Sequence, residues 1–307
     1  MFFYNLAKFK YQDICMLEQL NSLLWEILDD HLTVAEASWL QEQGNATPLE
    51  LMTAFVAAPR FLAKRTTKPT VAQNIELNEI LEGFSVEDWG IVRLGRVWLL
   101  SCLDSTHREE YCRHIETLFD TAEMNELVAL YSALPLLAYP DQWLFRATDA
   151  VRSNMGVVYE AIALRNPYPY HHFSELAWNQ LVLKGIFNDK PLHLIYGLEE
   201  RSNEKLVLTL SDFAHERWAA GRWVAPQVWR LATRFLNETL LDDMKHLFES
   251  SSEYDQQAAA LVCYHSNHEP ALQLLANYPH LQKVVNTHHI TWANLEFSDL
   301  NTYVSKP

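Results

Sequence analysis

The sequence predicts an all-α, solenoid-like protein, and three observations carry that prediction. Apolar residues recur at steps of three and four along most of the chain with short breaks between the patterns, and no convincing run alternates as a strand would. Only 8 glycines occur in 307 residues, about half the usual frequency, which argues against dinucleotide folds, P-loops and barrels that depend on glycine turns. Helix-start signals are explicit: Thr33-Val-Ala-Glu36 and Thr47-Pro48-Leu49-Glu50 are capping boxes, in which the hydroxyl takes the N3 amide and the glutamate returns to the cap.

Taken in order, the pattern predicts a first helix over Leu6–Leu28, then two helices opened by the capping boxes, the first closed by Gly44. A basic cluster, Ala58-Pro-Arg-Phe-Leu-Ala-Lys-Arg65, reads as a helix C-terminus whose cations oppose the dipole, or as an anion contact. A helix over 71–82 stopped by Gly83 leads to a Trp-rich helix over Trp89–Leu103. Gly90 and Gly95 lie inside that helix and suggest close helix crossing. An amphipathic helix ending near Phe119 precedes one capped by Thr121 and running to Leu134, and Pro135 and Pro140 bracket a turn.

The centre of the chain is the most informative. One long helix is predicted with the stripe Leu144, Ala147, Val151, Met155, Val158 and Ile162 on the core. It ends before Asn166-Pro167-Tyr168-Pro169, because each proline removes an N–H and biases its predecessor out of the helical region. The next helix, after Ser174, is apolar on nearly every side and reads as a buried central helix, in which Asn179 and Lys184 are misfits. A helix over Asn203–Ala220 closes at Gly221. From Pro226 the helices shorten (226–236, 239–249, 254–264 and 270–278), the pattern of HEAT-like pairs although no repeat of fixed length is present. The expected layout is therefore an N-terminal helical region over 1–120, a central region over 121–222, HEAT-like pairs over 223–280 and a weakly ordered tail over 281–307, forming one continuous domain of about 13 to 15 helices.

Composition bounds the function. A net charge of −15 makes nucleic acid a poor partner, since phosphate contacts need clustered Lys and Arg. Four cysteines without a CxxC pair point to a reduced, cytoplasmic compartment. The N-terminus lacks the order of a signal peptide, and no apolar run approaches the ~20 residues of a membrane span.

No complete catalytic signature is present. The helical pairs His107/Glu110, Asp212/His215 and His246/Glu249 lack the form of a di-iron or HExxH site, and Asp242-Asp243 lacks the third carboxylate of a diphosphate-binding helix. No metal and no cofactor are expected. His215 lies among core residues and reads as a satisfied core histidine or as a neighbour of Asn179 and Lys184. Lys184 can snorkel, or it can demand an anion if buried. Arg146 and Arg152 either pair with Asp149 or serve as forks for that anion. Tyr168, Tyr170, His171 and His172 follow the proline turn and could rim a pocket.

Several of these stretches together carry a resemblance. Asn125-Glu-Leu-Val-Ala-Leu-Tyr131, Leu134-Pro-Leu-Leu-Ala-Tyr-Pro140, Val151-Arg-Ser-Asn-Met155, Asn166-Pro-Tyr-Pro169, Ala177-Trp-Asn-Gln-Leu-Val-Leu-Lys184 and Ala214-His-Glu-Arg-Trp-Ala-Ala-Gly-Arg222, with Ala58-Pro-Arg-Phe61 upstream, resemble the EboA-domain family of bacteria over about residues 50–280. The company of that family's cluster, which includes hydrolase-like, prenyltransferase-like and sugar-phosphate-cyclase-like proteins, implies a cyclitol-like or prenylated metabolite.

The resulting expectation is a non-catalytic binding or assembly component that holds a small polar or anionic metabolite or another protein of the same pathway. The candidate ligand-binding residues are Arg146, Arg152, Asn154, Asn166, Tyr168, Asn179, Lys184 and His215, polar groups in otherwise apolar helices. The rival expectation is an enzyme acting on a phosphorylated or polyol metabolite, with Lys184 or His215 as acid or base.

Overall fold

The computed structural model describes residues 2–296, with side chains from residue 16 onward. It is all-α: no strand occurs among the described residues, where a single antiparallel bridge joins Thr66 and Gly90. The chain forms two compact units, one comprising residues up to Ala177 together with Leu194–Tyr196, the other Trp178–His193 and the chain from Gly197.

In the first unit, α1 (Phe2–Asp29), α2 (Val34–Gly44), α3 (Pro48–Ala57) and α4 (Val71–Ile80) precede α5 (Ile91–Ser101). Both expected capping boxes are in place, and Thr70 with Gln73 forms a third. The Trp-rich helix starts later than its pattern suggests, so Gly90 is its cap and only Gly95 lies inside it. A Cβ at Gly95 would stand 2.8 Å from the Leu62 side chain. Gly44 meets a similar limit, 2.5 Å from Trp98, so this helix-closing glycine also permits a close approach. α5 packs on α1, α2, α3 and α7, and its residues from Leu94 to Leu100 are all buried.

α6 (Arg108–Thr121) runs through the expected cap at Thr121, and the following α7 (Met124–Ser132) starts from Glu123, paired with Glu126 in the capping geometry. The long helix expected across Leu144–Ile162 is two helices, α8 (Leu144–Arg152) and α9 (Gly156–Ala163). The break has a local cause: Ser153 is extended and its hydroxyl accepts the Met155 N–H, so Ser-Asn diverts the backbone while the apolar stripe stays in register. Of that stripe Met155 is exposed, whereas Ala147, Val151, Val158 and Ile162 are buried. The short α10 (Tyr168–His172) follows.

The helix expected to be buried all round, α11 (Glu175–Phe187), is amphipathic: Trp178, Leu181, Val182 and Ile186 are buried, while Leu176 and Phe187 are 70% and 53% exposed. In the second unit the enclosed helix is α14 (Glu253–His265), whose Ala258–Cys263 run is buried. It touches α13 (Glu238–Glu249), α15 (Glu269–Ala276) and α16 (Pro279–Asn286), and the 3₁₀ segment Pro226–Ala232 that replaces the expected helix over 226–236. α12 (Glu204–Ala219) starts at the Asn203 cap and ends before Gly221, which is left-handed at φ +66° as anticipated. The expected weakly ordered tail is partly helical, because Leu281, Val285 and Leu295 find buried positions. Residues 297–307 of that expected tail lie outside the described residues.

One buried carboxylate ties early elements together and sets an acid limit. Glu36 accepts from the Thr33 N–H (2.8 Å), the Ala63 N–H (2.9 Å) and Arg65. Burial works to raise its pKa, but the Thr33 and Ala63 N–H groups, Arg65 and the Thr33 hydroxyl outweigh it and bring the carboxyl down to about 2. A depressed carboxyl stabilises the fold above its unfolded value and loses that contribution as pH falls through the folded one, here between about pH 5 and pH 2. The shift corresponds to at most ~3 kcal/mol, which solvent screening reduces to ~1–2 kcal/mol. Acid unfolding of Glu36→Gln, followed by circular dichroism, is expected to show a correspondingly flatter loss of stability over that window than the natural chain.

Candidate functional site

The first unit contains an open cleft of about 910 Å³. Its floor is the run Leu134–Pro140, between α7 and the 3₁₀ turn that begins α8; its rim includes Ser105, Thr106, Arg108, Asp141, His171 and His172. The prolines at 135 and 140 limit this apolar run to a 3₁₀ turn over Leu134–Leu136, so the backbone groups beyond it need other partners. Buried aromatic side chains supply them. Tyr111 Oη accepts the Ala138 N–H at 3.2 Å, Trp143 Nε1 donates to the Ala138 carbonyl at 2.9 Å, and Tyr168 Oη donates to the Pro140 carbonyl at 2.5 Å.

The floor also stores strain. Tyr139 has φ +60° and ψ +57°, a left-handed conformation that costs a non-glycine residue ~1–2 kcal/mol, and it precedes a proline. Its hydroxyl donates to the Ser105 carbonyl at 2.7 Å and the Arg108 guanidinium lies 5.1 Å from its ring, so the surroundings hold it in place.

Asn166 is buried behind the cleft and braces the turn that leads to it. Its amide donates to the Tyr131 and Ala161 carbonyls (3.0 and 2.9 Å) and its oxygen accepts the Tyr168 N–H (3.0 Å). That closed set of bonds fixes the Asn-Pro-Tyr-Pro turn and starts α10, which carries His171 and His172 to the cleft. Burial lowers the His172 pKa; His171 lowers it further, and Asp141 opposes the shift. A neutral imidazole offers one donor and one acceptor to a ligand at neutral pH.

The other expected site residues fall as follows. Arg146 on α8 is engaged by Glu116 (2.6 Å) and Asp120; Arg152 is exposed beside Asp149, 3.6 Å away; Asn154 is exposed in the break between α8 and α9. In the second unit, Asn179 exchanges amide hydrogen bonds with Asn203, the α12 cap, at 3.1 and 2.7 Å. Lys184 is half-buried and burial lowers its pKa. His215 Nε2 lies 2.6 Å from Asp243 Oδ1, and Ser211 donates to the other carboxylate oxygen at 2.6 Å; Asp243 is 1% exposed. The Asp242-Asp243 pair is thus divided: Asp243 anchors α12 to α13, and Asp242 pairs with Lys245.

Of the eight, the structure joins Asn166 to Tyr168 by a direct hydrogen bond, and neither lines the cleft: both stand behind it, Tyr168 bonded to the Pro140 carbonyl. The sequence reading missed the floor itself, although its signal was present in two prolines bracketing an apolar run too short to span a membrane. Among the described residues no group of three or more His, Cys, Asp or Glu could hold a metal ion, and no helix is long and apolar enough to cross a membrane.

The segments that build the cleft decide the relationship, since residues 20–233 match the family described as "Metabolite traffic protein EboA". The chain belongs to the EboA family. The matched span covers α2 to α12 with the last third of α1, beginning earlier and ending earlier than the motifs alone suggested, and it includes both the Leu134–Pro140 floor and the Asn166–Pro169 turn. Neither a curated protein nor a solved structure matches the chain significantly.

Proposed function

We propose that this EboA-family chain is a non-catalytic metabolite-binding component, and that the cleft over Leu134–Pro140 is where the metabolite sits. One observation carries the reading: a strained, prearranged apolar floor lies beneath a rim of imidazole, guanidinium and carboxylate groups. Ligand sites combine largely apolar walls with a few placed polar groups in this way. Such a cleft suits a prenylated metabolite, its hydrocarbon on the floor and its polar head toward His172 and Arg108, better than a bare cyclitol. Asn166 and Tyr168 contribute by holding the wall and Pro140. Arg146, Arg152 and Asn154 supply polarity around α8 for the same ligand or for a pathway partner.

Farnesol and myo-inositol, titrated separately against the purified protein by intrinsic fluorescence, test the reading. Farnesol is expected to saturate the natural chain and to bind at least tenfold more weakly to Ala138→Trp, which fills the cleft. Saturation by neither compound, or equal affinity in the variant, sinks it.

A second reading is favoured by the Asp243–His215 contact: a buried carboxylate that orients a half-exposed imidazole is an arrangement general bases use. In it His215 or Lys184 acts as acid or base on a phosphorylated or polyol metabolite, with Asn179 positioned through Asn203. The two readings part on Lys184→Met and His215→Gln, assayed for turnover of a phosphorylated polyol. Turnover by the natural chain that is lost in the folded variants favours the enzyme, whereas no turnover by the natural chain, with farnesol still saturating it, favours the binding component.

A further inference from the structure

We infer that the second unit holds a binding site for a small, neutral, hydroxyl-bearing molecule, in a cavity of about 280 Å³ between the end of α11, the turn at 189–193 and the start of the 3₁₀ segment at Pro226. The inference stands apart from the metabolite reading of the cleft, because it rests on other residues in the other unit. Its central observation is Gln227. This side chain lines the cavity, its residue is 9% exposed, and its Oε1 has no hydrogen-bond partner among the described residues. Buried side-chain acceptors are nearly always paired, so an orphan on a residue that lines a cavity calls for a donor from outside the chain.

The surroundings define that donor. At ~30 Å³ per water the cavity has room for roughly nine, which sets a ligand of fewer than about ten non-hydrogen atoms. Ile186, Leu192 and Val228 give it apolar walls, and Asp189, Lys190, His193 and Glu296 stand with Gln227 as its polar ones, the mixture a small molecule with both carbon and hydroxyl groups fits. Charges of both signs surround the space: Glu296 is engaged by Arg230 and lies 3.8 Å from His193 Nδ1, and Asp189 and Lys190 add one charge of each sign. No excess charge is left to select an ion, whereas an uncharged O–H satisfies Gln227 directly. Backbone strain marks the same place, with Asp189 left-handed at φ +49° on the cavity wall.

Erythritol, a neutral four-hydroxyl compound, is the probe. It is titrated against the full chain by saturation-transfer NMR, with butylammonium and acetate as charged comparators of similar or smaller size. Saturable erythritol binding is expected, weakened at least tenfold in Gln227→Met, which keeps the length of the side chain and removes the acceptor. Ala225→Phe, which fills the cavity, is expected to abolish binding; it makes the same comparison should Gln227→Met fail to fold. Ala138→Trp, which blocks only the cleft of the first unit, is expected to bind erythritol as the natural chain does, so the two readings fail separately. Equal erythritol affinity in the natural chain and both cavity variants, no saturation at all, or tighter binding of butylammonium or acetate overturns the inference.

Discussion

Replacing Glu126 by Leu is expected to destabilise the first unit by ~3–5 kcal/mol, because it strands a buried arginine. Arg96 lies on α5 with its side chain 3% exposed and reaches Glu126 Oε1 at 3.1 Å. Its Nε donates to the Phe55 carbonyl at 2.8 Å and Nη2 to the Val56 carbonyl at 3.3 Å, so the same guanidinium closes the C-terminal end of α3. Burial lowers the Arg96 pKa, and Glu126 and then Glu123 oppose that shift. Removing Glu126 leaves a desolvated cation with only carbonyl dipoles, and also removes the carboxylate that accepts the Glu123 N–H at 3.0 Å and starts α7. At ~2–4 °C per kcal/mol for a unit of this size, thermal unfolding should fall by roughly 10 °C. Arg96→Met with Glu126→Leu should recover much of the loss, since a pair of apolar groups replaces a buried ion pair at little cost. A single Glu126→Leu variant that melts with the natural chain would refute the account.

The second large effect is expected at Gly83. Its φ is +79°, and a Cβ built there would stand 2.1 Å from the Tyr196 ring. Alanine therefore meets two penalties, ~1–2 kcal/mol for a left-handed backbone and ~1–3 kcal/mol for overpacking, together ~2–5 kcal/mol. The displaced ring has consequences beyond stability. Tyr196 packs edge-on against Tyr170 at 4.8 Å and lies 6.1 Å from His171, which faces the cleft. Gly83→Ala should lower the unfolding midpoint and also weaken farnesol binding, whereas Gly221→Ala, at a left-handed glycine with nothing within 4 Å, should cost only the backbone strain. Identical midpoints for the two variants would show that the Tyr196 contact carries no energy.

These cases show where the sequence is legible. Capping at Thr33 and Thr47 could be read because both partners lie within three residues, and the stop at Asn166-Pro167 because proline acts on its own backbone. The break at Ser153 could not, since the apolar stripe of Leu144–Ile162 continues through it in helical register and only a hydroxyl-to-backbone bond diverts the chain. Arg96 and Glu126 are 30 positions apart, and nothing local announces that one needs the other. His171 and His172 were readable as rim residues because they follow a rigid turn. The cleft floor was not, because its hydrogen bonds come from Tyr111, Trp143 and Tyr168, each fixed by tertiary packing. Gln227 likewise carries no periodic or motif signal; its unmet acceptor exists only once the surrounding helices enclose it.

The three residues Leu194–Tyr196 belong with the first unit although the chain around them belongs to the second, and Leu194 accepts the Arg165 N–H at 2.7 Å there. During translation, then, the N-terminal body cannot complete its own hydrogen bonding when residue 177 leaves the ribosome; it must wait for a strap delivered from within the later-made body. Folding of the two is interleaved in time, and a genetic cut between them at any single point removes part of one or the other.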